Sequence, residues 1–346
     1  MNRTRTRTTA LILTLALSGA ATAQSSYDLS SAVARAIASG PDLTTARANL
    51  QKAQANAAAV TADPTSLITT KLSAQQGLAT AQLGVQSARL NVMSSVVNAY
   101  VGAYETGLRV TLNDAQVKLN TRQLQITQAR ARAGTATSLD VTKAQNALNS
   151  NAQELADARA QQPILEAQLG KILGLSGDLK LAPLPKAPTL NVSLASLQNG
   201  LENRLSSVQQ ATQQVESARQ QVDISDNDYT PARTLQDART ALSNAQITLD
   251  DARKAAQNSL KDAYRSAQNA AQQVGISQAA LNTNQTTLAQ TQARLKAGTA
   301  AAVDVQSAQV NVQQAQVTLT QAQDTLWKAL AALSVAAGQD LTGLVK

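Results

Sequence analysis

The sequence predicts an all-α protein made of long coiled-coil helical hairpins in two tandem repeats. Three observations predict it: a helix-forming, aromatic-poor composition, an internal duplication, and a heptad spacing of apolar residues. The chain of 346 residues is rich in Ala, Gln, Thr, Asn and Ser, with no Phe, one Trp and five Tyr. Ala and Gln form helices at little entropic cost. A compact core of the usual kind would need more of the large side chains that bury most area.

The duplication is read most directly from TQARARAGTATSLDV at 127–141 and TQARLKAGTAAAVDV at 291–305. Of the 19 positions from Thr127 to Gln145, 12 recur unchanged 164 residues later. The same offset pairs Ala74, Leu78 and Ala81 with Ala238, Leu242 and Ala245, and Tyr100 with Tyr264, with no gap from about residue 71 to 173.

Within each repeat the apolar residues alternate three and four apart. In the second they run Val305, Ala308, Val312, Ala315, Leu319, Ala322, Leu326, Ala329, Leu333 and Ala336. The first has Val141, Ala144, Leu148, Asn151, Leu155, Ala158, Gln162, Leu165, Leu169 and Ile172. A third run passes from Leu235 through Ala256 and Ser259 to Ala263. Such spacing keeps one seam facing a neighbouring helix and gives knobs-into-holes packing.

In chain order, residues 1–23 read as a secretory signal peptide. Arg3, Arg5 and Arg7 precede the apolar run ALILTLALSGA and the small residues Ala21-Thr22-Ala23. The run is about half of what a spanning helix needs. Removal of three arginines lowers the net charge from +8 to about +5. The first repeat, 24–173, opens with a short helix at about 43–60, interrupted at Asp63-Pro64 because proline removes a donor and crowds the preceding turn. A long helix at about 72–132 follows. Gly134 then turns the chain, taking the left-handed conformation that ends helices. Ser138 and Asp140 stand where the next helix begins and runs to about 173.

Residues 174–200, GLSGDLKLAPLPKAPTLNVSLASLQNG, form an extended Pro/Gly-containing linker. It and the short helices Leu29–Ser39 and Leu194–Asn203 are expected around the outside at mid-height. The second repeat, 201–338, repeats the plan: a helix at about 206–222, a break at Tyr229-Thr230-Pro231, a long helix at 233–296, the Gly298 turn, and a helix from 303 with Asp304 in its first turn. Residues 339–346 are a tail. The two shorter helices of each repeat together match the long one, so each repeat supplies two full-height strands of a wall.

Composition excludes much chemistry. With no Cys and no His there is no Ser-His-Asp triad, no Cys nucleophile, no Cys/His zinc site and no disulfide. No acidic cluster suggests a carboxylate metal site or an acid–base pair, so neither enzyme activity nor a cofactor is expected. Lys and Arg are scattered singly with few aromatics to stack bases, so nucleic acid is not an expected partner.

A duplicated short–long–short helical unit, with ARARAGTATSLDVTKAQNAL and ARLKAGTAAAVDVQSAQVNV at its turns, resembles the TolC family of outer-membrane efflux and secretion ducts. The opening segments SSAVARAIASGPDLTTARANL and LASLQNGLENRLSSVQQATQQV are also similar, and the likeness covers most of residues 29–338. The resemblance implies a homotrimer whose helices close into an α-helical barrel across the periplasm. It implies partners too: a periplasmic adaptor protein and, through it, an inner-membrane transporter. The adaptor-contacting tip would be Gly134, Thr135, Ala136, Ser138 and Leu139, with Gly298, Thr299, Ala300 and Val303. Asp140 and Asp304 take the place of a lumen constriction, although Ser307 stands where a second acidic tier would fall.

One expected part is missing. The family inserts membrane strands after each opening helix, of about ten residues each. TADPTSLITTK, between Val60 and Leu72, and DISDNDYTPART, between Val222 and Leu235, are too short and polar for them. The tube would end beneath the outer membrane or dock onto a separate outer-membrane component. Two readings stand: a conduit for efflux or type I secretion, and an exported coiled-coil scaffold of the envelope without a channel. Gly and Asp at the turns also have a plain reading, as helix caps.

Overall fold

A computed structural model describes residues 27–175 and 179–345; the expected signal peptide lies outside the described residues. Its helices are α1 (Leu29–Ser39), α2 (Pro41–Ala62), α3 (Ile68–Arg132), α4 (Ser138–Leu173), α5 (Leu194–Gln198), α6 (Ser206–Ser225), α7 (Ala232–Lys296) and α8 (Ala302–Ala337), with a 3-10 turn at Leu201–Asn203. Adding 164 to the bounds of α3 and α4 gives those of α7 and α8, so the duplicated sequence folds to duplicated geometry. At 65 residues each, α3 and α7 are about 98 Å long at 1.5 Å per residue.

The helices make one wall. The stacked pair α2 and α4 lies along α3; α3 lies also along α8 and α6; α6 and α8 in turn lie along α7. Across the wall the order is α2/α4, α3, α6/α8, α7. Seam residues behave as the heptads require. In the runs on α4 and α8 every position is buried or half-buried, with Leu155, Ala158, Ala308, Ala315, Leu319, Leu326 and Leu333 among the buried. The run on α7 departs at one place: Ser259 is exposed and Leu260 is buried instead. A step of four after a step of four there shifts the seam, as insertions in a heptad do. Pro163 stands within α4 without ending it.

Most of the large side chains gather in a belt at mid-height. One cluster joins Leu29, Val33, Met93, Val97, Tyr100, Leu169, Leu173 and Trp327; another joins Leu197, Leu260, Leu330 and Leu333. Each fully buried Leu or Val contributes about 1.5–3 kcal/mol, so the scarce large residues are concentrated where they hold several helices together.

The linker, described from Leu179 onward, is a strap across this belt. Tyr27 donates its amide to the Lys180 carbonyl and accepts from the Ala182 amide, both at 2.9 Å. Tyr100 Oη stands 2.7 Å from the carbonyls of Tyr27 and Ala182. Trp327 Nε1 donates to the Pro185 carbonyl at 2.9 Å, and Tyr264 Oη to Val192 at 3.1 Å. Tyr100 and Tyr264 are partners at the 164-residue offset, and both pin the strap, one in each repeat. The parallel bridge Tyr27–Leu181 is the sole β pairing among the described residues.

Candidate functional site

Both hairpin turns lie at one end of the wall. Tyr100 on α3, Leu169 on α4 and Trp327 and Ala331 on α8 meet in the belt. Counted along each helix, that contact is roughly 40–50 Å from the turn on every one of them. The turns therefore reach the same level.

Each turn is a Schellman ending. At the first, Thr135 N donates to the Arg130 carbonyl at 2.9 Å and Gly134 N to Ala131 at 3.0 Å. At the second, Thr299 N donates to Arg294 at 2.9 Å and Gly298 N to Leu295 at 3.0 Å. Gly134 and Gly298 hold φ of 77° and 76°, a left-handed conformation that costs any residue with a Cβ about 1 kcal/mol or more. Each threonine hydroxyl also donates to the Arg130 or Arg294 carbonyl at 3.1 Å.

The following helix starts are built differently. Thr137 caps α4: its hydroxyl accepts from the Asp140 amide at 3.2 Å, while Asp140 accepts from the Thr137 amide at 2.9 Å, a reciprocal capping box. Ser138 is thus the first residue of the helix rather than its cap. At α8 the cap position is Ala301, which has no side-chain acceptor, and only the return bond remains, from the Ala301 amide to Asp304 at 2.8 Å. The two bonds from Thr137, backbone first, hold the Asp140 carboxyl below its ordinary range.

Of the residues singled out in the sequence, Gly134, Thr135, Ser138, Leu139, Asp140, Gly298, Thr299 and Asp304 are exposed, while Ala136, Ala300 and Val303 are half-buried. Leu139 keeps 59% of its surface in solvent, a large apolar side chain unsupported at the very end of a hairpin. The sequence reading passed over the collar of cations beside these turns. Arg130 and Arg132 occupy the last turn of α3, Arg294 and Lys296 that of α7, all exposed. The duplicated basic pairs just before Ala-Gly-Thr were the available signal. Cations there complement the helix C-terminal dipole, and the two turns together make that end of the wall positive.

The opposite end is closed by two tight connections, residues 63–67 and 226–231, shorter than the breaks read from sequence because α2, α3, α6 and α7 each extend further. Asp63 accepts from the Thr65 amide at 2.8 Å and the Ser66 hydroxyl at 3.0 Å; Asn227 accepts from the Tyr229 amide at 2.9 Å. Neither connection holds a strand. Among the described residues no helix is long and apolar enough to cross a membrane, and no group of ligating side chains is placed to hold a metal ion.

The comparisons agree with this geometry. A family model described as outer membrane efflux protein matches residues 70–175, which span α3, the first turn and α4. No curated protein matches the chain by sequence. Among solved structures, the outer membrane protein VceC from Vibrio cholerae superimposes with a TM-score of 0.65 at 16% identity, covering 90% of this chain and 96% of that one. The CmeC outer membrane channel of Campylobacter jejuni gives 0.66 at 14% identity, with 90% and 85% covered. The open state of the MtrE outer membrane channel of Neisseria gonorrhoeae gives 0.63 at 14%, with 91% and 89% covered. The chain shares the fold of these channels, and its resemblance to the TolC family rests on both the family match and the architecture.

Proposed function

We propose that this chain is the protomer of a trimeric helical conduit in the periplasm, belonging to an efflux or type I secretion system and performing no chemistry itself. One observation carries the reading: two hairpins stand side by side with both turns at one rim, in a wall whose fold spans the channel proteins almost end to end. The open edges support it. Helix α3 has the α2/α4 pair on one side and the α6/α8 pair on the other, whereas α7 has the α6/α8 pair on one side and no long helix of the described residues on the other. By the internal repeat, the vacant side of α7 suits the α2/α4 edge of another copy. Three copies then close twelve strands into a ring. The exported chain would work in the cell envelope, associated with the outer membrane.

In this reading Gly134, Thr135, Ala136, Ser138 and Leu139, with Gly298, Thr299, Ala300 and Val303, meet a periplasmic adaptor coupled to an inner-membrane pump. Asp140 and Asp304 stand beside the aperture, already engaged at their helix starts. The short connections at 63–67 and 226–231 favour a tube that reaches the membrane through a separate outer-membrane component. They equally favour the second reading, an envelope scaffold with no lumen.

Electron microscopy and solution mass of the chain from Gln24 separate the two. A trimeric tube roughly 98 Å or longer with an open lumen is expected; a monomer or a solid rod overturns the conduit. Gly134→Pro and Gly298→Pro are expected to abolish adaptor capture and export, and export that survives with the turn visibly broken removes the tip from the contact.

A further inference from the structure

The two hairpins are joined within the chain by the packing of α3 on α8, and that junction contains an acid which capping, the strap and the tips do not use. Asp324, on α8 one turn below Trp327 and Lys328, is 0% exposed. Neither of its carboxylate oxygens has a hydrogen-bond partner of ordinary polarity, donor to acceptor. The group it does reach is another carboxyl, that of Glu105 on α3, close enough for a side-chain hydrogen bond between the two. Such a bond requires a proton on one of them, because two carboxylates offer only acceptors.

The surroundings argue against other ways of settling the charge. The one nearby ammonium, Lys328 Nζ, lies 3.7 Å from Glu105 Oε1 and forms its ion pair there rather than with Asp324. Tyr104 on α3 faces Asp324, and burial first and the Asp324 charge second push its phenol up. Helix α7 from Ala267 to Ser277, opposite this part of α8, has no titratable side chain, and Lys186 of the strap lines the groove beside the neighbouring Gln323. The pair is also not a by-product of duplication. At the 164-residue offset Glu105 becomes Asn269 and Asp324 becomes Ala160, so the acids occur only in the junction between repeats.

We infer that Glu105 and Asp324 form a proton-binding site that clamps α8 to α3, and that release of the shared proton loosens the junction between the two hairpins. Protonated, the pair is one buried hydrogen bond linking the repeats. Deprotonated, it is two like charges, Asp324 sealed in the seam and Glu105 at its edge, with 24% of its side chain in solvent beside Lys328. Burial first, and the Glu105 charge second, push the Asp324 carboxyl up to about 7, while Lys328 pulls it down. A proton affinity in that range lets the seam respond within the ordinary working range of pH.

The sign follows from linkage. A carboxyl that holds its proton more tightly folded than unfolded stabilises the fold most at low pH, and the advantage is lost as pH rises from about 4 through about 7. The test is urea unfolding of the full mature chain, pH 4.5 to 8.5, for wild type, Asp324→Asn and Glu105→Gln. Across the window the wild-type unfolding constant is expected to rise by up to about tenfold per pH unit, the signature of one proton. Asp324→Asn, which keeps an amide hydrogen bond to Glu105, is expected to flatten the profile and to be the more stable chain at pH 8. Glu105→Gln, which removes the like charge, is expected to move the transition to lower pH, and it tests the site even if the asparagine variant does not fold. An infrared band of a protonated carboxyl at pH 6, lost in Asp324→Asn, is the direct readout. Equal pH slopes in wild type and Asp324→Asn overturn the inference. So does a wild-type chain that calcium or magnesium, added at pH 8, stabilises while leaving Asp324→Asn unaffected, since that makes the pair a cation site. These readouts concern the protomer's own junction, so they stand whether or not the chain forms a conduit.

Discussion

Replacing Tyr100 by Phe isolates what holds the strap to the belt. The ring is fully buried and would stay so in the variant, which removes one oxygen and leaves the packing of Met93, Val97 and Trp327 in place. The hydroxyl has one proton for two carbonyls, those of Tyr27 and Ala182, both at 2.7 Å. Tyr27 O has a second donor in the Ala182 amide, but Tyr100 is the donor that reaches Ala182 O. The loss is therefore one hydrogen bond plus a half-buried carbonyl left to find water, about 1–2 kcal/mol. Tyr264→Phe is the internal control: its longer bond to Val192, at 3.1 Å from a half-buried ring, sets an expected loss of about 0.5–1 kcal/mol. Urea unfolding gives both values, and hydrogen exchange at the Tyr27 and Ala182 amides reports whether the strap lifts locally. Faster exchange at those two amides with a larger loss for Tyr100 is expected. A Tyr100→Phe chain within about 0.3 kcal/mol of wild type, with unchanged protection, would refute the reasoning and leave the strap held by its apolar contacts alone.

Two further outcomes test the packing and the tip. Leu330→Ala, in the belt at 1% exposure, is expected to cost about 2–5 kcal/mol, and Leu281→Ala, in the small cluster with Ala315 and Leu319, to fall at or below the low end of that range, both by urea unfolding. The Asp140 carboxyl, titrated by NMR, is expected to show a midpoint below the ordinary 3.8, with the first turn of α4 losing amide protection as pH falls through that midpoint. A midpoint at or above 3.8 would mean that the capping box is not formed in solution.

The wall was legible in the sequence because its information is periodic. Val305 through Leu333 alternate so regularly that a seam is the one packing that buries them, and a repeat copied at 164 residues reports its own element lengths twice. The turns were legible for a different reason: Gly134 and Gly298 stand between a basic pair and an acid three residues into the next helix, which is the chemistry of a helix end followed by a helix start. What escaped was set by fine local geometry at one helix start and by tertiary contact. Thr137 takes the cap in place of Ser138 because it is the residue whose hydroxyl reaches the Asp140 amide. Asp324 was invisible because a single acid in TQAQDTLWKAL looks like a solvated position. Only the approach of α3, some 220 residues earlier in the chain, makes that position dry.

The distribution of buried side chains bears on why this chain would need copies of itself. The belt holds most of the buried large apolar residues, while the stretch between belt and tips is sewn by Ala, a few Leu and Val, and backbone-directed amides such as Asn120 Nδ2 to the Ala147 carbonyl at 3.2 Å. Alanine seams let helices approach closely, yet each residue buries little area, so a hairpin shaft of this kind gains modest stability from its own partner. Along most of each shaft both faces are lined with exposed Gln, Asn, Ser and Thr, which suits a wall wetted on both sides and adds no core. Helix α8 is enclosed by α7 and α3, and α3 by the α2/α4 and α6/α8 pairs, so each is flanked on both sides within the chain. Helix α4, the repeat partner of α8, packs on α3 but has an open outer edge, as α7 has. Closing those edges against another copy would give α4 and α7 the flanking that α3 and α8 already have, which is the physical reason to read the open wall as one segment of a ring.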